Sequence, residues 1–438
     1  MAYVEAQIAR GHRKHVRGDL AGALTHYRKA IIKKPRHPHP WFFFGLLCQQ
    51  MRRYDEAIRA LQYVVKLAPT HADAWYNLGR AFQAIKEPNM ALAHYIAALE
   101  HNPNHVESLI NAGNIYQEFG ERDTAKVCYD HALSLDTSRP ESRYTRAFLR
   151  LSEGDYERGW EDHEWRWACP EYIAEHRREF MDDAPRWDGS PMPGKALLIH
   201  WEQGFGDTIQ FARWIPYAAE RSQANIVIEV QTQLVRLFRR SFPFARVLEA
   251  GETYPHFDAH CSVVSLPAKI GGFGVNVPYL IAEPTPKRPS LRVGLCWGGN
   301  TQQLNDYNRS VAGFAMLEPI TSIPGIEWLS LQVGERADEC GDMPRADIKD
   351  FADTADAIAG LDLVITVDTS VAHVAGSIGA NVWTMIPLSH DWRYPRTGTT
   401  SPWYPTMTLY RQPKRHDWAS VIQDVARDLS HLASSHAA

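Results

Sequence analysis

Leu361-Asp-Leu-Val-Ile-Thr-Val-Asp-Thr-Ser-Val-Ala-His-Val-Ala-Gly-Ser-Ile-Gly379 decides how the larger part of this chain folds. Leu361, Leu363, Val364, Ile365 and Val367 make an apolar run of the kind found in strands buried on both faces of a parallel sheet. Asp368, Thr369 and Ser370 interrupt it, and Val371, Ala372, Val374, Ala375 and Ile378 then recur at helical spacing up to Gly379. Strand, hydroxyl-rich turn and helix, in that order, aim backbone N–H groups and the positive end of a helix dipole above the strand. A phosphate suits that place.

The same alternation runs outward on both sides. Upstream, Lys195–His200, Asn225–Val230, Arg246–Glu249 and Phe257–Leu266 read as strands, with amphipathic helices after Asp207 and over Gln231–Phe242. Closer to the opening stretch, Leu291–Trp297 and Ile326–Gln332 read as strands and Asp350–Ala359 as a helix; Asn381–Ile386 is a strand beyond it. A stripe of Trp418, Val421, Ile422, Val425, Leu429 and Leu432 predicts a terminal packing helix. Alternation of this kind predicts two Rossmann-like parallel sheets, over 195–283 and 290–438. Prolines at 170, 185, 191 and 193 mark 168–194 as a linker, and Pro284, Pro286 and Pro289 mark a second one. The Gly204-Phe-Gly206 turn is not a dinucleotide fingerprint, because Ile209 stands where the third glycine belongs. What the turn offers is Asp207, either a cap for the following helix or a base at the edge where open α/β sheets bind ligands.

The first third of the chain is a repeat array with a period of 34. Gly11, Gly45, Gly79, Gly113 and Ala147 fall one period apart, as do Ala23, Ala57, Ala91, Ala125 and Gly159. Pro35, Pro69 and Pro103 close three repeats. Small residues at fixed places let paired helices approach, and proline stops the second helix of each pair. Four repeats fill about 4–139, and a degenerate fifth, Glu141–Trp167, reads as a cap, so the array spans 1–167. The pattern resembles the tetratricopeptide repeat. Such an array presents a concave surface to an extended peptide or a helix.

Composition narrows the classes. Among 438 residues, 47 are basic and 51 acidic, a net charge of −4 that gives no footprint for nucleic acid. Residues 1–140 carry a net +5, which solvated helix faces explain. Six scattered cysteines suit a reducing compartment, and the N-terminus lacks the apolar core of a signal peptide. No stretch has the length of a membrane span, so the expectation is a cytoplasmic protein. His256, Asp258 and His260 lack the further ligands of a metal site and read as a surface turn. Trp403 and Tyr404 read equally as a base-stacking pair or as core aromatics.

Taken together, the segments GFGDTIQF, WGGN…NDYNRS, SLQVGE, DFADTADAI, DLVITVDTSVAHVAGSIG and DWRY…SPWYP resemble the GT-B-fold glycosyltransferases related to the family 9 heptosyltransferases. Joined to the repeats, the architecture is similar to that of O-linked GlcNAc transferases. The resemblance implies an α solenoid followed by two Rossmann-like domains facing a cleft. It implies transfer of a sugar from a nucleotide-diphosphate donor to an acceptor hydroxyl, with inversion and without a metal or other cofactor. Asp207 falls on the family's base, with Gly204 and Gly206 in the turn supporting it. Asp368, Thr369, Ser370 and His373 fall on the donor-binding pattern; Asn300, Arg309, Ser310 and Gln332 fall on loops facing the phosphates. Leu304 and Tyr307 stand where relatives often carry a basic residue, a departure that weakens diphosphate binding or alters donor choice. The implied partners are a nucleotide sugar and a protein acceptor, such as flagellin, held by the repeats. Two alternatives stand beside this: a saccharide or lipid acceptor, and an inactive nucleotide-binding scaffold that acts through its repeats.

Overall fold

The structure of the protein, a computed structural model, describes residues 2–274, 276–286, 288–301 and 306–437. Leu304 therefore lies outside the described residues. The chain divides into two compact units, Met1–Arg146 and Ala147–Ala438.

In the first unit the described residues form four antiparallel helix pairs. They are Ala2–Val16 with Leu20–Lys33, Pro38–Gln50 with Tyr54–Leu67, Ala72–Ala84 with Pro88–His101, and Val106–Glu118 with Arg122–Leu135. The 34-residue period has a direct steric cause. A Cβ on Gly79 would come within 2.6 Å of the Tyr95 ring, and one on Gly45 within 2.9 Å of Leu61. Gly11 and Gly113 stand in the same relation to Tyr27 and Tyr129. Each pair is thus locked by a large side chain of its second helix lying on a glycine of its first. Ala23, Ala57, Ala91 and Ala125 are fully buried where the helices come closest. The prolines have a second role: Trp41 Nε1 donates to the Pro35 carbonyl at 2.8 Å and Trp75 Nε1 to the Pro69 carbonyl at 2.6 Å. Those bonds fix the turn from one repeat into the next.

The second unit contains two parallel sheets. The first has strands β1 (Ala196–His200), β2 (Asn225–Val230), β3 (Arg246–Glu249) and β4 (Ala259–Ser262), in the order β3-β2-β1-β4. The second has β5 (Leu291–Cys296), β6 (Ile326–Ser330), β7 (Leu363–Val367), β8 (Val382–Ile386) and β9 (Met407–Arg411), in the order β6-β5-β7-β8-β9. Side chains alternate across each strand. On β1, Leu197 and Ile199 face a core with Ile209, Phe211 and Trp214, whereas Leu198 packs with Phe180, Val227 and Leu248. On β5 and β7, Leu291, Val293, Leu295, Leu363, Ile365 and Val367 are covered by the Trp418–Ala437 helix through Val421, Ile422, Val425 and Leu429.

Several details depart from the sequence reading. β9 lies inside the Trp- and Pro-rich tail, where Pro402 and Pro405 mask the short strand that follows. The 168–194 segment is not a free connector. It forms a short helix, Pro170–His176, and buries Phe180 and Trp187 against the first sheet. His260 is not on a surface turn but buried in β4, 3.3 Å from His200. Of the two readings left open for Trp403 and Tyr404, burial favours core aromatics, both being almost fully buried. From Ala147 on, the segment read as a capping repeat belongs to the second unit, where Trp160 packs on Phe211, Trp214, Trp392 and Trp403. No described helix is long and apolar enough to cross a membrane.

Candidate functional site

Open parallel sheets bind ligands outside the carboxyl ends of their strands, where the strand order reverses. In the first sheet that point lies between β1 and β4, and in the second between β5 and β7. The segments leaving β1, β5 and β7, residues 201–207, 297–300 and 368–370, run into the first turns of the Phe205–Phe211 and Ser370–Ser377 helices and carry most of the residues expected to act.

The β1 loop ends in the Phe205–Phe211 helix. Asp207 caps it, Oδ2 accepting from the Gly204 N–H at 2.9 Å. Its other oxygen, Oδ1, accepts from Arg393 of the β8–β9 connection. Burial pushes the Asp207 carboxyl up, and Arg393 opposes that. Gly206 is required by close approach: a Cβ there would lie 2.9 Å from Cδ2 of His373 and 3.5 Å from its Nε2. The turn after β1 therefore lies directly on the helix after β7.

That helix is Ser370–Ser377, with Thr369 as its N-cap residue. The Thr369 hydroxyl does not cap; it turns inward, 3.3 Å from the Thr366 hydroxyl and 4.0 Å from Cys296 Sγ. Ser370, the first helical residue, is partly exposed. His373 is buried, with Nδ1 3.0 Å from the Tyr404 hydroxyl, which is itself 3.3 Å from the Tyr279 hydroxyl. Burial, then Arg393, pushes its imidazole down to about 3, so the ring is neutral near pH 7. Asp368 accepts from the Tyr394 hydroxyl at 2.8 Å, and burial, then Asp391, raises its carboxyl.

The β5 loop is braced from within. Gln332 Oε1 accepts from the N–H groups of Trp297 (3.1 Å) and Gly298 (3.0 Å), and its Nε2 donates to the Gly298 carbonyl at 3.1 Å. The Ser310 hydroxyl accepts from Gly299 N–H at 2.9 Å and donates to Asp306 at 2.7 Å. Gln332 and Ser310 thus hold the loop in shape. Asn300 is exposed beyond it. Arg309 lies along Gly299, where a Cβ would come within 3.0 Å of its guanidinium, and 3.6 Å from Asp306. Its charge reaches both Asp368 and His373.

The residue that ties these loops together is one the sequence reading passed over. Arg393 donates to Asp207, through Nε to Gln210, and through Nη1 to Asp391 at 2.8 Å. Its guanidinium also lies 4.6 Å over the Trp392 ring. Burial works against its charge, but Asp391 and Asp207 hold it protonated more firmly than usual. Arg393 sits within the quoted DWRY segment, yet its partner lies 186 residues away, a pairing no local pattern reveals. Asp207, Asp368, Asp391, His373, Arg309 and Arg393 therefore share one electrostatic neighbourhood.

Comparison with known proteins bears mainly on the repeats. The tetratricopeptide repeat family matches residues 44–88, 72–105 and 106–139. The N-terminal region is a tetratricopeptide-repeat solenoid. Over 340 residues the chain is 27% identical to Protein FlbA of Caulobacter vibrioides, covering 67% of this chain and 55% of that protein. The chain thus spans about half the length of the curated relative it matches. Among solved structures, MamA is 22% identical and covers 41% of this chain and 98% of its own, with a TM-score of 0.34. The tetratricopeptide-repeat protein TTC0263 of Thermus thermophilus is 20% identical, covering 39% and 94%, also at 0.34. PilF of Pseudomonas aeruginosa is 19% identical, covering 39% and 80%, at 0.36.

Proposed function

We propose that the α/β unit is a GT-B-type glycosyltransferase, and that it moves a sugar from a nucleotide-diphosphate donor to a hydroxyl of a protein recruited by the repeats. The observation that carries this reading is the bond from Arg393 to Asp207, together with the close approach of the neighbouring Gly206 to His373 in the Ser370–Ser377 helix. A carboxylate thereby stands next to the Arg393 guanidinium at the carboxyl ends of both sheets. Sugar transfer needs both parts: a base for the acceptor and stabilisation for a leaving diphosphate. The acceptor oxygen bonds to the anomeric carbon as its proton passes to Asp207 Oδ1. The bond from that carbon to the diphosphate oxygen breaks on the opposite face, and the nucleoside diphosphate departs with the charge. Arg309, Arg393 and the helix N-terminus stabilise that charge. Direct displacement inverts the anomeric centre, and the residues named need neither a metal nor another cofactor.

A second reading is an inactive nucleotide-binding scaffold that works through its repeats. It is favoured by the occupancy of Asp207, whose two oxygens are engaged by Gly204 and Arg393. Incubating the full chain with a panel of nucleotide sugars separates the two. A transferase releases a nucleoside diphosphate from at least one donor, and Asp207→Asn stops the release while the nucleotide still binds. Binding without release in both proteins establishes the scaffold and removes the transferase.

A further inference from the structure

The bonding of Arg393 and Asp207 has a consequence for how the site is regulated, and it rests on the donor site proposed above. Asp207 Oδ2 is committed to the helix cap, so Oδ1 is the oxygen left to take a proton. Arg393 holds that oxygen. A base in this state is blocked. Arg393 in turn keeps a second counter-charge, Asp391, on its own loop through Nη1 and a backbone bond of 3.0 Å, so its Nη2 edge can change partner without stranding the cation. Around it stand Asp207 and Gln210 from the Phe205–Phe211 helix, Asp391 from its own loop, and the charge of Asp368 from the end of β7. Three carboxylates beside Arg393 and Arg309 leave no surplus positive charge for an incoming anion. A dianion or trianion can enter only by taking the place of one of them.

We infer that Arg393 is a switch between two anions: Asp207 holds it in the empty site, and the donor diphosphate takes it in the loaded one. Loading the donor thereby releases Asp207 Oδ1 for the acceptor. Asp207 is an internal competitor of the donor as well as the eventual base for the acceptor, which couples proton abstraction to the presence of a leaving group. Arg393 is accordingly a positioning residue in the empty state and a phosphate ligand in the loaded one.

The test is a double-mutant cycle read by titration calorimetry on the full chain, with inorganic pyrophosphate and a set of nucleoside diphosphates as probes. Asp207→Asn keeps the shape and the cap acceptor but removes the competing charge, and it tightens diphosphate binding about tenfold. Arg393→Gln weakens binding by at least about tenfold. In the Arg393→Gln background, Asp207→Asn gives no further tightening. Thermal melts check folding, and if Arg393→Gln fails to fold, the sign of the Asp207→Asn effect alone decides. Weaker or unchanged binding in Asp207→Asn overturns the switch, as does tightening that persists without Arg393. If pyrophosphate shows the cycle but no nucleoside diphosphate binds, the switch stands and the nucleotide-donor reading falls. If nucleoside diphosphates bind without the cycle, the reverse holds. If nothing binds to any variant, both fall.

Discussion

Replacing Arg166 by methionine tests how the loop after β1 is held. Arg166 is fully buried and Glu202, two residues beyond β1, is 1% exposed at its side chain. They form a two-pronged pair, Nε to Oε1 at 2.7 Å and Nη2 to Oε2 at 2.8 Å. Arg166 also donates to Ser265 at 2.6 Å, to Glu164 at 2.6 Å and to the His163 carbonyl at 3.0 Å, and Tyr172 donates to Glu202. Removing one partner of such a pair strands the other charge, a loss of about 3–5 kcal/mol. For a unit spanning Ala147–Ala438 that lowers the melting midpoint by about 5–8 °C. Tryptophan fluorescence reads it selectively, since all tryptophans but Trp41 and Trp75 lie beyond residue 146. Arg166→Met with Glu202→Gln recovers part of the loss, because the stranded charge is gone. The pH dependence has a defined sign. Arg166 holds the Glu202 carboxyl well below the ordinary value of 4.5 against burial, so its stabilisation is present above that value and is lost on acidification. In Arg166→Met burial raises the carboxyl against only the hydrogen bonds of Ser262 and Tyr172, and protonation relieves the variant. Its deficit therefore narrows as pH falls from 7 towards 4. A loss below about 1 kcal/mol, or a double variant whose losses simply add, refutes the argument.

Other outcomes follow from the same geometry. Gly206→Ala drives a methyl into the His373 ring and costs about 1–3 kcal/mol, with nucleotide release falling in parallel; a silent substitution means the two loops do not touch. His200 and His373 are pushed down to about 3, and His260 to about 4, chiefly by burial. The unfolded chain binds their protons first, so the second unit loses stability as pH falls below about 6.5, by up to about 1.4 kcal/mol per unit for each histidine. Acid unfolding followed by proton uptake gives close to three protons from these groups, and uptake near zero contradicts their buried neutral state. Gly79→Ala forces the Tyr95 ring aside and speeds hydrogen exchange over 72–101, whereas unchanged exchange contradicts the packing of that helix pair.

Most of the architecture was legible because its signals are local. The 34-residue period follows from the contact of a glycine with a tyrosine, or in the second pair with Leu61, within each helix pair, and apolar runs marked eight of the nine described strands, since a strand buried on both faces has few other ways to be written. β9 escaped because Met407–Arg411 is short and flanked by turn residues. The site was legible only in part. Gly206 and His373 were named separately and do meet. Gln332 and Ser310, expected to face a ligand, spend their bonds bracing the β5 loop, and the Thr369 hydroxyl turns inward. Arg393 went unnoticed because its importance lies in partners on another loop, and spacing along the chain carries no trace of that. The buried pair of Arg166 and Glu202 escaped for the same reason: a charged residue in a loop reads as solvated until its partner is seen.

The proposed transferase requires the α/β unit to hold a nucleotide diphosphate at the carboxyl ends of its two sheets. Thermal melting of the full chain, followed by tryptophan fluorescence across a panel of nucleotide sugars, nucleoside diphosphates and free sugars, tests it most directly. A ligand that binds only the folded state stabilises it by about 2.7 kcal/mol at a hundredfold excess over Kd. At least one nucleotide sugar and its nucleoside diphosphate are expected to raise the midpoint, the free sugar is not, and Arg393→Gln is expected to remove the shift. No shift from any member of the panel, or an equal shift in Arg393→Gln, contradicts it.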